Sequence, residues 1–469
     1  MPFFIFAPMK ARNILSVIAG ALILPAYLAS CGEDRWAAYA EQTASDRWID
    51  DTMRVWYYWA DQLPHGDELN YFQEPFTFFK SLLVADDKFS SIDSLKTTTR
   101  SIPYTNYSYG FQFATAQVPE SDEALYAQVL YVAANSPAAE IGLQRGEWIL
   151  AMNGQPITRD NINLLFGSTA MQITTGRYDA TNGTFVADKD PRNLPSARAI
   201  DDNPVYYKNV YERNGKRIGY LVYNHFSSGL TAGDQSYNQQ LREAFRYFAT
   251  QQVSEFVLDL RYNNGGEVSC AELLCSLLAP ASALGQPLGY LQFGIKHQPQ
   301  QVPLTMNQQL IGDGANLNLQ TLHILTSEQT ASASELLINC LKPYMKVVLI
   351  GSRTVGKNMG ARSFDNVEQQ LTMTPMICKL YNSKDETYET GFEADYPLTE
   401  HSDLTRFLPF GNPDELMLYT ALGIIDGTYP GEGGNEGEGE GGNEETETPT
   451  LTHPAYSIAR RANKAVIVK

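Results

Sequence analysis

The sequence predicts a mixed α/β protein assembled from three dissimilar parts, and three observations carry that expectation. From Trp36 to Leu83, aromatic and aliphatic residues recur at helical spacing. From Ser101 to Phe166 the pattern changes to short alternating strands separated by turn residues. From Tyr206 onward, apolar strands alternate with helical segments.

Each part has its own local signals. Ile49, Met53, Trp56 and Trp59 fall on one face, which predicts a packed amphipathic helix rather than an aromatic platform for a cofactor. In the middle part, Tyr109–Phe113 reads as a strand opened by Gly110. Ser136-Pro137 starts a short helix with a cap and a proline at the first helical position. Asn153-Gly154 predicts a hairpin turn. The polar stretch 167–205, with turn signals at Asn182-Gly183 and Asp190-Pro191, reads as irregular. A strand at Arg217–Tyr223, a helix at Gln235–Gln251, a strand at Glu255–Leu260 and a closing helix at Leu416–Ile425 complete the α/β part. Residues 431–448 hold seven Gly and seven Glu, a composition that cannot form a core and predicts a flexible acidic linker. The expected boundaries are a leader over 1–30, a helical N-terminal domain over 31–98, a β-rich domain over 101–190, an α/β core over 205–428, the linker over 429–450 and a short tail over 451–469 with no specific role.

Composition narrows the function classes. The chain has 469 residues, 43% of them hydrophobic, so a single small module and a wholly disordered chain are both excluded. Its net charge of -18, from 53 acids against 35 bases, argues against a nucleic-acid partner. Five cysteines are too few for a disulfide scaffold and show no zinc-ligand spacing, so no metal and no cofactor is expected. Some of Cys270, Cys275, Cys340 and Cys378 could pair in an exported protein.

The N-terminus reads as an address. Lys10 and Arg12 precede an apolar run from Ile14 to Leu28, broken by Gly20 and Pro25, which fits a secretory signal better than a membrane span. Met9-Lys10 opens a more conventional signal than Met1 does. Leu28-Ala29-Ser30-Cys31 resembles the bacterial lipobox, in which the cysteine is lipidated and becomes the new terminus. Gly32-Glu33-Asp34 resembles the surface-export signal of some Bacteroidetes lipoproteins. The resemblance implies lipidation at Cys31, a membrane partner through that lipid, and a place in a Gram-negative envelope.

The chemistry gathers late in the chain. The strand Leu322–Thr326 runs into Ser327–Ser334, where small residues lead into a helix with Glu335 in its first turn. A serine hydroxyl and free backbone N–H groups at a helix N-terminus suit a developing oxyanion. A second strand, Val347–Gly351, leads to Lys357 between small residues. A serine hydroxyl is a poor nucleophile without a base in reach. Lysine is a base only when neutral, so its pKa must fall from about 10.4 to near 7, at a cost of about 4 kcal/mol.

These motifs resemble those of the C-terminal processing peptidases, or tail-specific proteases. Thr330-Ala331-Ser332-Ala333-Ser334-Glu335 resembles that family's nucleophile motif, and Lys357 follows Ser332 by the family's 25 residues. Asp259-Leu260-Arg261-Tyr262-Asn263-Asn264-Gly265-Gly266 resembles its oxyanion loop, and Gly391–Asp395 a later family turn with Ala394 in place of proline. Val129–Gly154 resembles a PDZ domain of the bacterial protease type. The resemblance implies a ClpP/crotonase-type ββα peptidase core with Ser332 as nucleophile and Lys357 as base. It implies oxyanion donors at Ala333 and at Gly265 or Gly266. It also implies a peptide-binding strand at Gly110 and Phe111 that captures protein or peptide substrates by their free C-termini.

The resemblance has gaps, and other readings stand beside it. Positions where many family members carry a Gln or an acid to orient the lysine are Ala361 and Pro343 here. A Ser-His-Asp site would need His225 or His323, and His323 lies within an apolar strand. The alternative to an endopeptidase is a weak or inactive peptidase fold that binds peptide ends through its PDZ-like domain. Retention of both Ser332 and Lys357 favours the enzyme.

Overall fold

The computed structural model describes residues 38–95 and 107–429, except 119–120, 168, 232 and 297–298, together with the backbone of 451–455 and 466–467. The leader, Cys31 and the Gly/Glu linker lie outside the described residues. The chain divides into two compact units, residues up to 51 with 64–82, and 52–63 with the rest.

In the first unit, helix α1 (Ala44–Trp56) begins and helix α2 (Pro75–Leu82) follows. Tyr71 donates to Asp50 at 2.8 Å and the Gln73 amide to Asp46 at 3.2 Å. Burial pushes the Asp46 carboxyl up to about 6, against the Gln73 hydrogen bond. The helix is shorter than its apolar pattern suggests. It stops at Trp56, and the Tyr58 amide donates to Met376 O at 2.8 Å instead of continuing the helical ladder.

The second unit opens with a β-sheet. Its strands are β1 (Phe111–Gln117), β2 (Ala124–Val132), β3 (Trp148–Met152), β4 (Gln155–Thr158), β5 (Met171–Asp179) and β6 (Thr184–Ala187), in spatial order β1-β2-β4-β3-β5-β6. Helix α3 (Pro137–Glu140) starts as expected, with Ser136 Oγ accepting from the Ala139 amide. Asn153 and Gly154 take φ of 49° and 72°, the two positive values a tight hairpin needs. The stretch 167–205 is not irregular: it holds β5, β6 and a further strand at Arg192–Leu194. In β5 buried Met171, Ile173 and Thr175 alternate with more exposed Gln172 and Thr174, while β6 buries no residue and gives no apolar alternation to read.

The α/β part is a six-stranded sheet. Strands β7 (Val205–Arg213) and β8 (Lys216–Tyr223) form an antiparallel hairpin. Then β9 (Glu255–Asp259), β10 (Thr321–Thr326), β11 (Lys346–Gly351) and the short Tyr396–Pro397 add in parallel. Side chains alternate between two cores. Leu221, Tyr223, Leu258, Ile324 and Leu349 meet α4 (Ser236–Thr250), α5 (Val268–Leu278) and α6 (Ala333–Leu341). Tyr220, Val222, Val257, Leu325 and Ile350 meet α7 (Leu416–Asp426). A second sheet carries β12 (Met359–Ala361) beside β13 (Met376–Asn382). Beyond the linker, β14 (Leu451–Ala455) pairs with β1 and β15 (Val466–Ile467) pairs with β12.

A buried charge network joins the β-domain to the α/β sheet. Arg261, 1% exposed, reaches Asp259, Glu400 and Glu415. Arg145 reaches Glu400 at 3.0 Å, the Tyr262 hydroxyl at 2.7 Å, and the carbonyls of Leu130 and Leu408. Its guanidinium stacks 3.7 Å from the centre of the Phe407 ring. Burial raises the Glu400 carboxyl, but Arg145, His401 and Arg261 outweigh it and hold the group down to about 2. Glu400 is therefore ionised in the fold at any pH above that value. Its stabilising effect is complete above the ordinary value of 4.5 and is lost as pH falls toward about 2. Arg145→Met should cost about 3–5 kcal/mol near neutrality, because it leaves a buried carboxylate short of a partner. The deficit should shrink as the pH of a denaturant titration is lowered from 4.5 toward 2; a deficit independent of pH would contradict this origin.

Candidate active site

The chain arrives at the site from two parallel strands. β9 ends at Asp259 and leads into 260–266, and β10 ends at Thr326 and leads into 327–332. The two loops are laced together. Ser327 Oγ donates to Arg261 O, Thr330 Oγ1 to Leu260 O at 2.9 Å, and the Ala331 amide to Asn263 O at 3.2 Å. Both loops therefore sit at the carboxyl ends of the strands, where a parallel sheet exposes its backbone.

Ser332 is fully buried and precedes α6. Its φ of 63° and ψ of -114° are strained for a residue with a side chain, by about 1–3 kcal/mol. Ser332 Oγ makes no hydrogen bond to a described residue. The backbone is held elsewhere: the Ser332 amide donates to Glu335 Oε2 at 2.8 Å. The same oxygen accepts the Lys357 amide at 2.8 Å. The other oxygen of Glu335 accepts the Gly356 amide and the Thr354 hydroxyl, each at 2.6 Å. One carboxylate thus ties the serine to the loop that carries the lysine. Burial raises the Glu335 carboxyl, while these four donors pull it down.

Lys357 is 3% exposed, and its Nζ lies 5.4 Å from the centre of the Phe89 ring. The loop 354–357 is braced by the later turn. Phe392 N donates to Thr354 Oγ1 at 2.8 Å, and a β-carbon on Gly391 would stand 2.2 Å from Thr354 O. Asp395 accepts the Leu349 amide at 2.8 Å. Ala361 and Pro343 supply no polar group to the lysine; its backbone amide is held by Glu335 and its Nζ lies near the Phe89 ring.

Gly265 packs directly on the nucleophile motif. At φ 105°, a β-carbon there would lie 2.6 Å from Ser332 Cβ and 2.9 Å from Ala333 N. The Gly265 amide is already given to Asn263 Oδ1 at 2.9 Å. The Ala333 and Gly266 amides make no hydrogen bond to a described residue. Of the two glycines named from sequence, Gly266 is therefore the one with an amide to spare.

The other sequence-derived positions fall elsewhere. Gly110, φ 85°, and Phe111 lie at the start of β1. Phe111 is fully buried in the core of that domain, so only its backbone can meet a peptide. The neighbouring Gln112 donates to Gln329 at 3.2 Å, which brings β1 against the loop before Ser332. His225 contacts Ser227 Oγ and Asp202 O, and His323 lies in β10; neither bonds Ser332. Cys270, Cys275, Cys340 and Cys378 are buried, and none is in a disulfide. Cys31 lies outside the described residues. Among the described residues no cluster of His, Cys, Asp or Glu is placed to hold a metal ion. Sequence reasoning placed Glu335 in the first turn of the helix without giving it a role, and it missed Phe89. The Ser332-x-x-Glu335 spacing of a capping box was a legible signal for the first, and nothing local signals the second.

Comparison with known proteins places the chain among peptidases. The family model Peptidase family S41 matches residues 217–398, its N-terminal domain 44–91, and a PDZ domain 128–164. A crystal structure of a protein from Bacteroides fragilis assigned as an S41 protease is 41% identical, with a TM-score of 0.76, covering 82% of this chain and 98% of that one. A carboxyl-terminal-processing protease of Synechocystis sp. is 23% identical over 88% of this chain and 92% of its own. One from Picosynechococcus sp. is 25% identical, the match spanning 52% of this chain and about half of that protein, 53%. With an N-terminal domain, a PDZ domain and an α/β core in this order, the chain belongs to the S41 family of serine peptidases.

Proposed function

We propose that the protein is an exported, lipid-anchored endopeptidase that cuts proteins or peptides selected by their C-terminal ends, using Ser332 and Lys357. The observation that carries the reading is the Glu335 clamp, in which one carboxylate oxygen takes the amides of both residues at 2.8 Å. In the proposed reaction Lys357 removes the Ser332 proton as Oγ attacks the scissile carbonyl. The Ala333 and Gly266 amides receive the oxyanion, and Lys357 returns the proton to the leaving amine. Water, deprotonated by Lys357, then attacks the acyl carbonyl, and Lys357 passes that proton to Ser332 Oγ as the Oγ–acyl bond breaks, which frees the product acid and restores both residues. The PDZ domain supplies selection, since a strand-adding groove holds peptide ends through backbone groups.

Cleavage of an unfolded protein with an apolar C-terminus should be abolished by Ser332→Ala. It should be nearly abolished by Lys357→Arg, because a guanidinium stays protonated. Wild-type activity should rise with pH as the lysine loses its proton. Near wild-type cleavage by Lys357→Arg would remove the dyad, and equal cleavage by wild type and Ser332→Ala would remove Ser332 as the nucleophile.

Glu335 acts through position rather than chemistry. Glu335→Ala should lower kcat by about 100-fold, the scale of an ångström of misplacement. Glu335→Asp, which keeps a carboxylate, should recover part of the rate. An unchanged kcat for Glu335→Ala would show that the clamp does not position the pair.

The leader motivates a separate test. Cys31→Ser should abolish incorporation of labelled fatty acid and release the protein from membranes. Equal labelling of both forms would rule out the lipid anchor.

A further inference from the structure

The strand β1 is an edge of the PDZ sheet but is not bare. The chain's own tail covers it, with Leu451 opposite Ala116, Thr452 opposite Thr115 and Ala455 opposite Phe113, in antiparallel register. This is how a PDZ domain receives a peptide, as one more strand on an open edge. The direction also fits, because the tail runs toward Gly110 as it passes from residue 451 to 455. A bound peptide would stop near that glycine with its carboxylate. The tail continues to Lys469, so it fills the strand position without presenting a carboxylate there.

A second contact lies beside the candidate active site. Val466 and Ile467 pair in parallel with Gly360 and Ala361 of β12, the strand that follows Lys357. Gln112 of β1 bonds Gln329 in the loop that leads to Ser332. The two strands that carry the tail thus adjoin the two loops that carry Ser332 and Lys357. A Gly/Glu-rich linker of 431–448 tethers the tail to the domain it covers, and tethering by a short linker of this type gives an effective concentration on the order of millimolar.

We propose that the tail strands Leu451–Ala455 and Val466–Ile467 are tethered occupants of the protein's own substrate path, competing with external polypeptides at the PDZ edge and at the strand after Lys357. The proposal rests on the reading of β1 as the peptide-binding strand. It predicts a competitive effect, felt in KM and absent from kcat at saturation.

The test compares the full chain with a chain ending at Thr448 and with a full-length Thr452→Pro, Ile467→Pro variant, since proline removes ladder donors and breaks added strands. Hydrogen exchange should show loss of amide protection in β1 and β12 for both altered forms. Their KM for a peptide substrate should fall by roughly tenfold at unchanged kcat. A synthetic 449–469 peptide should raise the KM of the shortened chain again. Unchanged protection in β1 and β12 would overturn the proposal, and so would lost protection with an unchanged KM. Binding of free-acid and amidated peptides to the shortened chain reads the PDZ assignment separately. Equal binding of the two, with the tail effects intact, would remove carboxylate recognition and leave the tail as occupant.

Discussion

Glu335 lies fully buried with four donors aimed at its two oxygens, and the local architecture follows from that fact. A carboxylate without water is tolerable only when hydrogen bonds replace the lost hydration. Here the replacements come from two places far apart in sequence, the start of α6 and the loop 354–357. Satisfying the carboxylate therefore requires both segments to converge. That requirement sets the Ser332 backbone, strained at φ 63°, and the Lys357 backbone against a common oxygen. Neither segment could hold its conformation alone, since a strained residue persists only where its surroundings over-determine it.

The sheet beneath supplies the rigid base. Parallel strands β9 and β10 place their carboxyl ends side by side, so the loops they feed exchange backbone and hydroxyl hydrogen bonds. Gly265 completes the fit, because any side chain there would collide with Ser332. Just below, Arg261 turns inward to Asp259, Glu400 and Glu415 rather than outward to solvent. Arg145, from the PDZ domain, enters the same cluster. Two guanidinium groups and three carboxylates share the site, so removing one strands the others in a low-dielectric interior. The network makes the placement of the PDZ domain against the sheet an electrostatic matter as well as an apolar one.

The covered edge at β1 belongs to the same logic. An open strand edge attracts any extended chain that reaches it. A selective binding domain needs such an edge, and a long acidic chain with a tail of its own brings a ready partner. Backbone pairing is tolerant of sequence, and Leu451–Ala455 of the same chain pairs with β1 through its backbone.

Local chemistry in the sequence determined a good deal of this protein. Apolar runs such as 255–260 and 347–351 can hardly be other than buried parallel strands. Ser136-Pro137 and Asn153-Gly154 specify a helix start and a hairpin by steric preference alone. The small residues around Ser332 and Lys357 marked the candidate site because a strand-to-helix junction needs them. Tertiary structure decided what no local rule encodes. It turned half-exposed strands out of the polar stretch 167–205 and ended α1 at Trp56 with a hydrogen bond from Tyr58 to Met376. It also brought Phe89 to Lys357 and paired the tail with β1 and β12. Each of these rests on a partner distant in the chain, and the energy of such a contact depends on a position in space that residue order alone does not specify.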